Sequence, residues 1–145
     1  MLSYLPVLIA ILGGVAVVIQ ARFNGIMDRG MGTLESVFIT YGLGGLIIAL
    51  VMIGLRGGNL AAFRTAPWYV ALAGVCGLVI IGAISYSVPR LGLAVAFTVM
   101  VTTQFVLGAV FDHFGWLGGE IRPLSLQKAA GILILLLGVW LIIRE

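Results

Sequence analysis

The chain has 145 residues, of which 62% are hydrophobic and 9% are charged. A soluble domain is about half apolar and about a quarter charged, so this composition cannot cover a water-facing surface and indicates an integral membrane protein. The net charge of +3 comes from basic residues isolated between apolar runs, which excludes a nucleic-acid-binding patch. A single cysteine, Cys76, excludes a disulfide framework within one chain.

Five apolar stretches follow one another along the chain, each close to the roughly 20 residues that a helix needs to cross a bilayer. We predict membrane-spanning helices over residues 4–24, 34–55, 68–88, 91–111 and 126–143. Helix breakers fall in the gaps: Gly30, Gly32, Gly57, Gly58, Pro67, Gly115, Gly118, Gly119 and Pro123. The third gap is only the turn from Pro89 to Gly92, which predicts a tight connection between spans three and four. The predicted fold class is an all-α membrane protein in which residues 1–145 form a single transmembrane domain.

The basic residues are balanced between the two sides of the membrane. Five spans place the termini on opposite sides, so one side carries Arg56, Arg64, Arg122 and Lys128, and the other carries Arg22, Arg29, Arg90 and Arg144. The positive-inside rule sets orientation through the difference, which is zero. Loops can balance by chance while the first helix still decides; we instead interpret the balance as dual topology. We therefore expect an antiparallel homodimer of ten helices, with the inverted-repeat geometry of many secondary transporters.

Small and polar residues recur on single faces of the first four spans, as on helices that face a bundle interior. In the first span this face carries Gly13, Ala16, Gln20 and Asn24. We predict that the polar members line a shared cavity: Gln20, Asn24, Ser36, Thr40, Ser85, Thr98, Thr102 and Gln104. The alternative is that the hydroxyls bond to carbonyls of their own helix. The primary amides of Gln20, Asn24 and Gln104 are the strongest candidates, because each has several polar atoms that need partners in hydrocarbon.

Three ionisable residues near span ends are candidates for proton coupling. Glu35 lies in the first turn of the second span, and Asp112 and His113 lie where the fourth span ends. The alternatives are a favourable interaction of Glu35 with the helix dipole and interfacial capping by the other two. One histidine, one cysteine and scattered acids form neither a metal site nor a hydrolytic constellation, so we expect no metal, no cofactor and no enzymatic activity. A nucleotide-binding glycine-rich loop is not present in the sequence, which argues against a primary pump.

The segment PRLGLAVAFTVMVTTQFVLGAVFDHFGWLG, residues 89–118, resembles the short five-span YdcZ-type branch of the drug/metabolite transporter superfamily. The resemblance rests on Pro89, Leu91-Gly92, Gln104 and the run Asp112-His113-Phe114-Gly115. Early residues Gln20 and Asn24, and Leu124-Ser125 ahead of GILILLLGVWL, also fit, so the resemblance covers essentially the whole chain. Two positions depart from the pattern: Thr103, where glycine is expected, and Glu35, where a small neutral residue is expected.

The resemblance implies an exporter-like, multi-pass protein of the bacterial inner membrane. The family includes dual-topology homodimers, pairs of oppositely oriented proteins and fused ten-span forms, and the charge balance places this chain with the first kind. Gly131 and Gly138 lie seven residues apart in the last span, which looks like the dimerising last helix of small multidrug resistance transporters. We therefore expect two copies to contact each other there.

The expected function is secondary transport of a small organic molecule or metabolite by alternating access. The expected partners are the lipid bilayer, a second copy of the chain and the transported molecule. Because no carboxylate lies in the middle of a span, proton-for-cation exchange is disfavoured and a neutral or weakly polar substrate is favoured. Two alternatives stay open: a small dual-topology ion channel of the fluoride-channel kind, and a non-transporting membrane partner subunit.

Overall fold

The computed structural model describes residues 4–55, 58–116 and 119–144. These residues form the helices α1 (Tyr4–Met31), α2 (Thr33–Gly54), α3 (Leu72–Leu91), α4 (Leu93–Phe114) and α5 (Leu126–Ile143). Two short 3-10 turns, Leu60–Thr65 and Trp68–Ala71, precede α3, and no strand occurs in these ranges. The five spans are long and apolar enough to cross a membrane. The predicted all-α class and the number of spans are confirmed, while the homodimer stays a prediction.

Three helices, α1, α3 and α4, continue beyond their predicted C-terminal ends. Helix α1 continues to Met31 rather than ending near residue 24, and α4 continues to Phe114 rather than 111. Helix α3 includes Pro89 in its last turn, so the following turn is shorter than predicted. The predicted ends followed the loss of apolar residues, whereas a helix ends where its hydrogen-bond ladder is interrupted. Gly57 and Gly118 of the predicted gaps, and Arg56 of the charge count, lie outside the described residues.

Single glycines connect α1 to α2 and α3 to α4. Gly32 has φ 104° and Gly92 has φ 83°, a region that side chains strain to adopt. The Gly32 N–H donates to the Asp28 carbonyl at 3.0 Å, and the Gly32 carbonyl accepts from the Ser36 N–H at 3.1 Å. The backbone therefore passes from α1 into α2 with almost no loop.

The chain forms two compact units, residues 1–90 and residues 91–145. In the first unit α1 packs against α2, and in the second unit α4 packs against α5. Helix α3 approaches α1 closely at Gly25, where an added Cβ would lie 3.4 Å from the Val88 side chain and 3.6 Å from that of Pro89. Most large apolar side chains of the helices are exposed on the chain, as expected where lipid or another helix covers them.

An ion pair fixes the end of α3 against the turn between α1 and α2. Arg90 Nη1 lies 3.1 Å from Asp28 Oδ2, and the Thr33 hydroxyl donates to the other carboxylate oxygen of Asp28. The Arg29 guanidinium donates to the Pro89 carbonyl at 3.1 Å, which satisfies one of the carbonyls left free at the end of α3. Arg29 and Arg90 thus lie at the same end of the first unit, as the charge count assumed.

The burial of this ion pair is uneven. The Asp28 side chain is only 5% exposed, whereas that of Arg90 is 48% exposed and stacks over the Tyr86 ring at 3.7 Å. Removing the arginine would therefore leave an enclosed carboxylate with only its Thr33 hydrogen bond. An enclosed charge that loses its partner costs more than the loss of a fully exposed pair.

We expect the substitution Arg90→Gln to lower the free energy of unfolding by roughly 1.5–3 kcal/mol, the range for a hydrogen bond to a charged group. Denaturant titration in detergent micelles measures it. The matched control is Arg122→Gln, because Arg122 and Glu120 form an ion pair whose side chains are 64% and 82% exposed. That control should cost less than about 1 kcal/mol. Equal losses in the two variants would contradict a structural role for the Asp28–Arg90 pair.

Candidate functional site

A cavity of about 520 Å³ lies between α1 and α2. Its walls are mostly apolar, and its polar groups are the amides of Gln20 and Asn24 and the hydroxyl of Thr40. The lining residues are Ala16, Ile19, Gln20, Phe23, Asn24, Met27, Ile39, Thr40 and Leu43. Three of the predicted site residues therefore lie together. A mainly apolar cavity with a few polar groups is typical of sites for small molecules. We call it the α1–α2 cavity.

Asn24 is buried in the wall of this cavity, with 1% of its surface exposed. Its Oδ1 atom lies 2.9 Å from the Thr40 hydroxyl oxygen, and that hydroxyl also lies 2.8 Å from the Ser36 carbonyl. A hydroxyl has one proton, so it cannot fully donate to both acceptors. If the Thr40 hydroxyl donates to the Ser36 carbonyl, the Asn24 amide is flipped, and its NH₂ group donates to the Thr40 oxygen. The oxygen and nitrogen of an amide are assigned from such hydrogen bonds.

In either orientation one polar atom of the Asn24 amide lacks a partner among the described residues. With Oδ1 toward Thr40 this atom is Nδ2. A buried polar group without a hydrogen bond costs about 1–3 kcal/mol. Such a group in the wall of a cavity favours a ligand or a water molecule that can complete its hydrogen bonds.

Ser36 and Ser85 lie behind the cavity rather than on its surface. Their hydroxyl oxygens are 3.1 Å apart, both residues are fully buried, and the Ser36 hydroxyl donates to the Asn24 carbonyl at 3.3 Å. These bonds link α1, α2 and α3, and with Thr40 they form what we call the hydroxyl network: Asn24, Ser36, Thr40 and Ser85. Ser36 and Ser85 therefore support Asn24 from behind, and their contact with a substrate stays a prediction.

A second cavity, also of about 520 Å³, lies between α4 and α5. Three of the residues predicted from the sequence lie on it: Gln104, Asp112 and Gly131. The full lining is Gln104, Phe105, Gly108, Ala109, Asp112, Lys128, Gly131, Ile132 and Leu135. We call it the α4–α5 groove. Lys128 is a lining residue that entered the sequence-based predictions only through the charge balance, although its spacing of three and seven residues from Gly131 and Leu135 indicates a shared helical face.

The remaining candidate residues have local roles in this structure. The Thr98 hydroxyl donates to the Ala94 carbonyl of its own helix at 2.7 Å, as in the alternative interpretation. Thr102 is 5% exposed, and its hydroxyl has no partner among the described residues. Glu35 lies in the first turn of α2 in a separate exposed crevice. A cavity shared by all four predicted faces stays a prediction.

His113 and Asp112 connect the end of α4 to the segment before α5. The Nδ1 atom of His113 accepts from the Leu124 N–H at 3.1 Å. The Asp112 carbonyl accepts from the Arg122 N–H at 2.7 Å. Ser125 then caps α5 by accepting from the Lys128 N–H at 3.2 Å. Proton coupling through Glu35, Asp112 or His113 stays a prediction.

Gly131 and Gly138 leave open space on α5. At both positions no described atom lies within 4 Å of an added Cβ, and Gly131 lies on the α4–α5 groove. A contact with a second copy is therefore sterically free at either glycine, and it stays a prediction.

Comparison with known families gives one match that spans nearly the whole chain. The family described as "Putative inner membrane exporter, YdcZ" matches residues 5–141. No curated protein and no solved structure matches the chain significantly. The family match therefore supports transport and an inner-membrane location, whereas the candidate site rests on the geometry of the chain.

We expect Ser85→Ala to lower the free energy of unfolding by about 1 kcal/mol, because it removes one hydrogen bond of the buried network. Thr103→Ala is the matched control, since the exposed Thr103 hydroxyl bonds only to the Val99 carbonyl of its own helix at 2.9 Å. Denaturant titration in micelles compares the two. In a double-mutant cycle with Ser36→Ala, the combined loss should be smaller than the sum of the single losses; additive losses would contradict a direct Ser36–Ser85 bond.

Proposed function

This chain belongs to the YdcZ family of inner membrane exporters, and from that membership we propose that it is a secondary transporter of a small organic molecule or metabolite. The observation that carries this proposal is the α1–α2 cavity with the incompletely bonded amide of Asn24 in its wall. A substrate that completes the hydrogen bonds of Asn24 would be recognised there. As expected for a family of exporters, the function is transport across the inner membrane rather than an enzymatic reaction.

The lining of the α1–α2 cavity favours a neutral or weakly polar substrate. Among the described residues, no side chain with a formal charge lines it. Gln20 and Asn24 supply hydrogen-bonding groups, and Phe23 and the aliphatic residues supply apolar contact. The volume of about 520 Å³ falls within the range of roughly 300–1,000 Å³ that small-molecule sites occupy.

The proposed mechanism is alternating access by an antiparallel homodimer. The equal numbers of basic residues on the two sides support insertion in both orientations. Two oppositely inserted copies would be related by an axis in the membrane plane, so the inward-facing and outward-facing states would be equivalent. Gly138 on α5 is our candidate for the closest contact between copies, because its surroundings are open.

We expect Asn24→Leu to weaken substrate binding about tenfold to a hundredfold, because one or two hydrogen bonds of about 1–3 kcal/mol in total are lost and each 1.4 kcal/mol is tenfold. A panel of neutral amphiphilic molecules, tested for thermal stabilisation of the purified protein, identifies ligands. Titration of each ligand against the variant then gives the change in affinity.

The matched control for Asn24→Leu is Gln127→Leu, which removes an exposed amide near the start of α5, outside the α1–α2 cavity. This control should bind the ligands as the wild type does. If the ligands bind Asn24→Leu and the wild type with equal affinity, the α1–α2 cavity is not the substrate site.

We expect reporters fused to the C-terminus to be detected on both sides of the inner membrane in comparable amounts. Labelling of intact and permeabilised cells measures the two populations. A single orientation would contradict the antiparallel homodimer. Flux through proteoliposomes then separates the functional classes: a transporter gives saturable flux, a channel gives fast ohmic flux, and a partner subunit gives none.

A further inference from the structure

The α4–α5 groove carries two opposite charges that do not pair with each other. Asp112 and Lys128 both line it, yet neither side chain makes an ion pair or hydrogen bond within the described ranges 4–55, 58–116 and 119–144. The rest of the lining is mainly apolar, with Phe105, Ile132 and Leu135. A groove of this kind suits a ligand that has both charges at one end and an apolar body.

The two charges lie at the same end of the helix pair, where we expect the lipid headgroups. Asp112 lies in the last turn of α4 and Lys128 in the first turn of α5. Beside them, the Trp116 ring lies 5.4 Å from that of Phe111 and 5.5 Å from that of Phe114. Aromatic clusters of this type are typical of the membrane–water interface.

From this end the groove runs toward the middle of the bilayer. Gln104, its innermost residue on α4, precedes Asp112 by eight residues, which is roughly 12 Å along a helix. Gly108 and Gly131 line the groove without side chains, and no described atom lies within 4 Å of an added Cβ at either position. The two glycines thus leave room for an apolar chain between the charged end and Gln104.

We propose that the α4–α5 groove binds a zwitterionic phospholipid whose headgroup has a phosphate and a primary ammonium. Lys128 contacts the phosphate, Asp112 accepts from the ammonium, and one acyl chain lies along Gly108 and Gly131. The arrangement discriminates between headgroups by charge. A phospholipid with a glycerol headgroup satisfies Lys128 but leaves Asp112 beside a net negative charge, and like charges in proximity are unfavourable.

The test uses the full-length protein, delipidated in mild detergent and then supplied with ethanolamine, glycerol or choline phospholipids of identical acyl chains. Native mass spectrometry counts the lipids retained per chain, and thermal unfolding gives their stabilising effect. The ethanolamine lipid should be retained at one per chain with an affinity about tenfold above that of the glycerol lipid. Equal retention of the ethanolamine and glycerol lipids would overturn the proposal.

Variants in the groove and controls outside it locate the binding. Gly131→Leu should fill the groove and remove the retained lipid, whereas Ala130→Leu, at the neighbouring exposed position of α5 that does not line the groove, should retain it. Asp112→Asn should abolish the preference for the ethanolamine headgroup, and Lys128→Gln should weaken both lipids, while Arg144→Gln at the other end of α5 should change neither. Wild-type retention in Gly131→Leu would overturn the proposal. If Gly131→Leu instead dissociates a dimer with lipid unchanged, the groove holds a second copy and the lipid assignment is wrong.

These measurements are independent of the transported substrate. Lipid retention is read from mass and thermal stability rather than from flux. The proposed lipid site and the proposed transport function can therefore fail separately.

Discussion

Inside the hydrocarbon of a bilayer, each polar group of the protein must find its partner within the protein or in a bound molecule. In residues 1–90 the hydroxyl network meets most of this constraint. The bond between Ser36 and Ser85 joins α2 to α3, and the bond from Ser36 to the Asn24 carbonyl joins α2 to α1. The network satisfies the serines and Thr40 but not the whole amide of Asn24. The cavity and its capacity for recognition both depend on that remaining unsatisfied group.

The position of α3 depends on two contacts of different chemistry. Ser85 bonds within the protein interior, and Arg90, five residues or roughly 7.5 Å further along the helix, pairs with Asp28 at the membrane edge. Two contacts at different heights along α3, and on different sides of it, hold the rotation of α3 as well as its distance from α1 and α2. Asn24 is therefore supported from behind before any ligand arrives, which lowers the ordering cost of binding. In residues 91–145, by contrast, Asp112 and Lys128 are held apart by separate helices, which leaves their charges free for a ligand.

Hydropathy was sufficient to predict the spans, because a helix in lipid must be apolar over most of its length. Periodicity was sufficient to bring Gln20 and Asn24 of one helix to the same cavity, since residues four apart share a face. It could not predict that Ser36 and Ser85 would pair, because their meeting depends on the rotation of α3 relative to α2, which no single-helix pattern contains. Lys128 was missed as a lining residue for a similar reason: its place on the groove depends on how α5 packs against α4, which no single-helix pattern contains. A shared cavity and a homodimer involve relations between units or copies that periodicity does not determine.

The one-residue connection at Gly32 has a consequence for how the protein enters the membrane. Helices α1 and α2 are 28 and 22 residues long, and no polar loop between them could be translocated separately. We therefore expect the two helices to insert together as a helical hairpin that carries Arg22 and Arg29 with it. The preference of this hairpin for one direction adds to that of the basic residues further along the chain, which can still change the orientation. The whole chain, and not the first hairpin alone, then determines the proposed orientation of each copy.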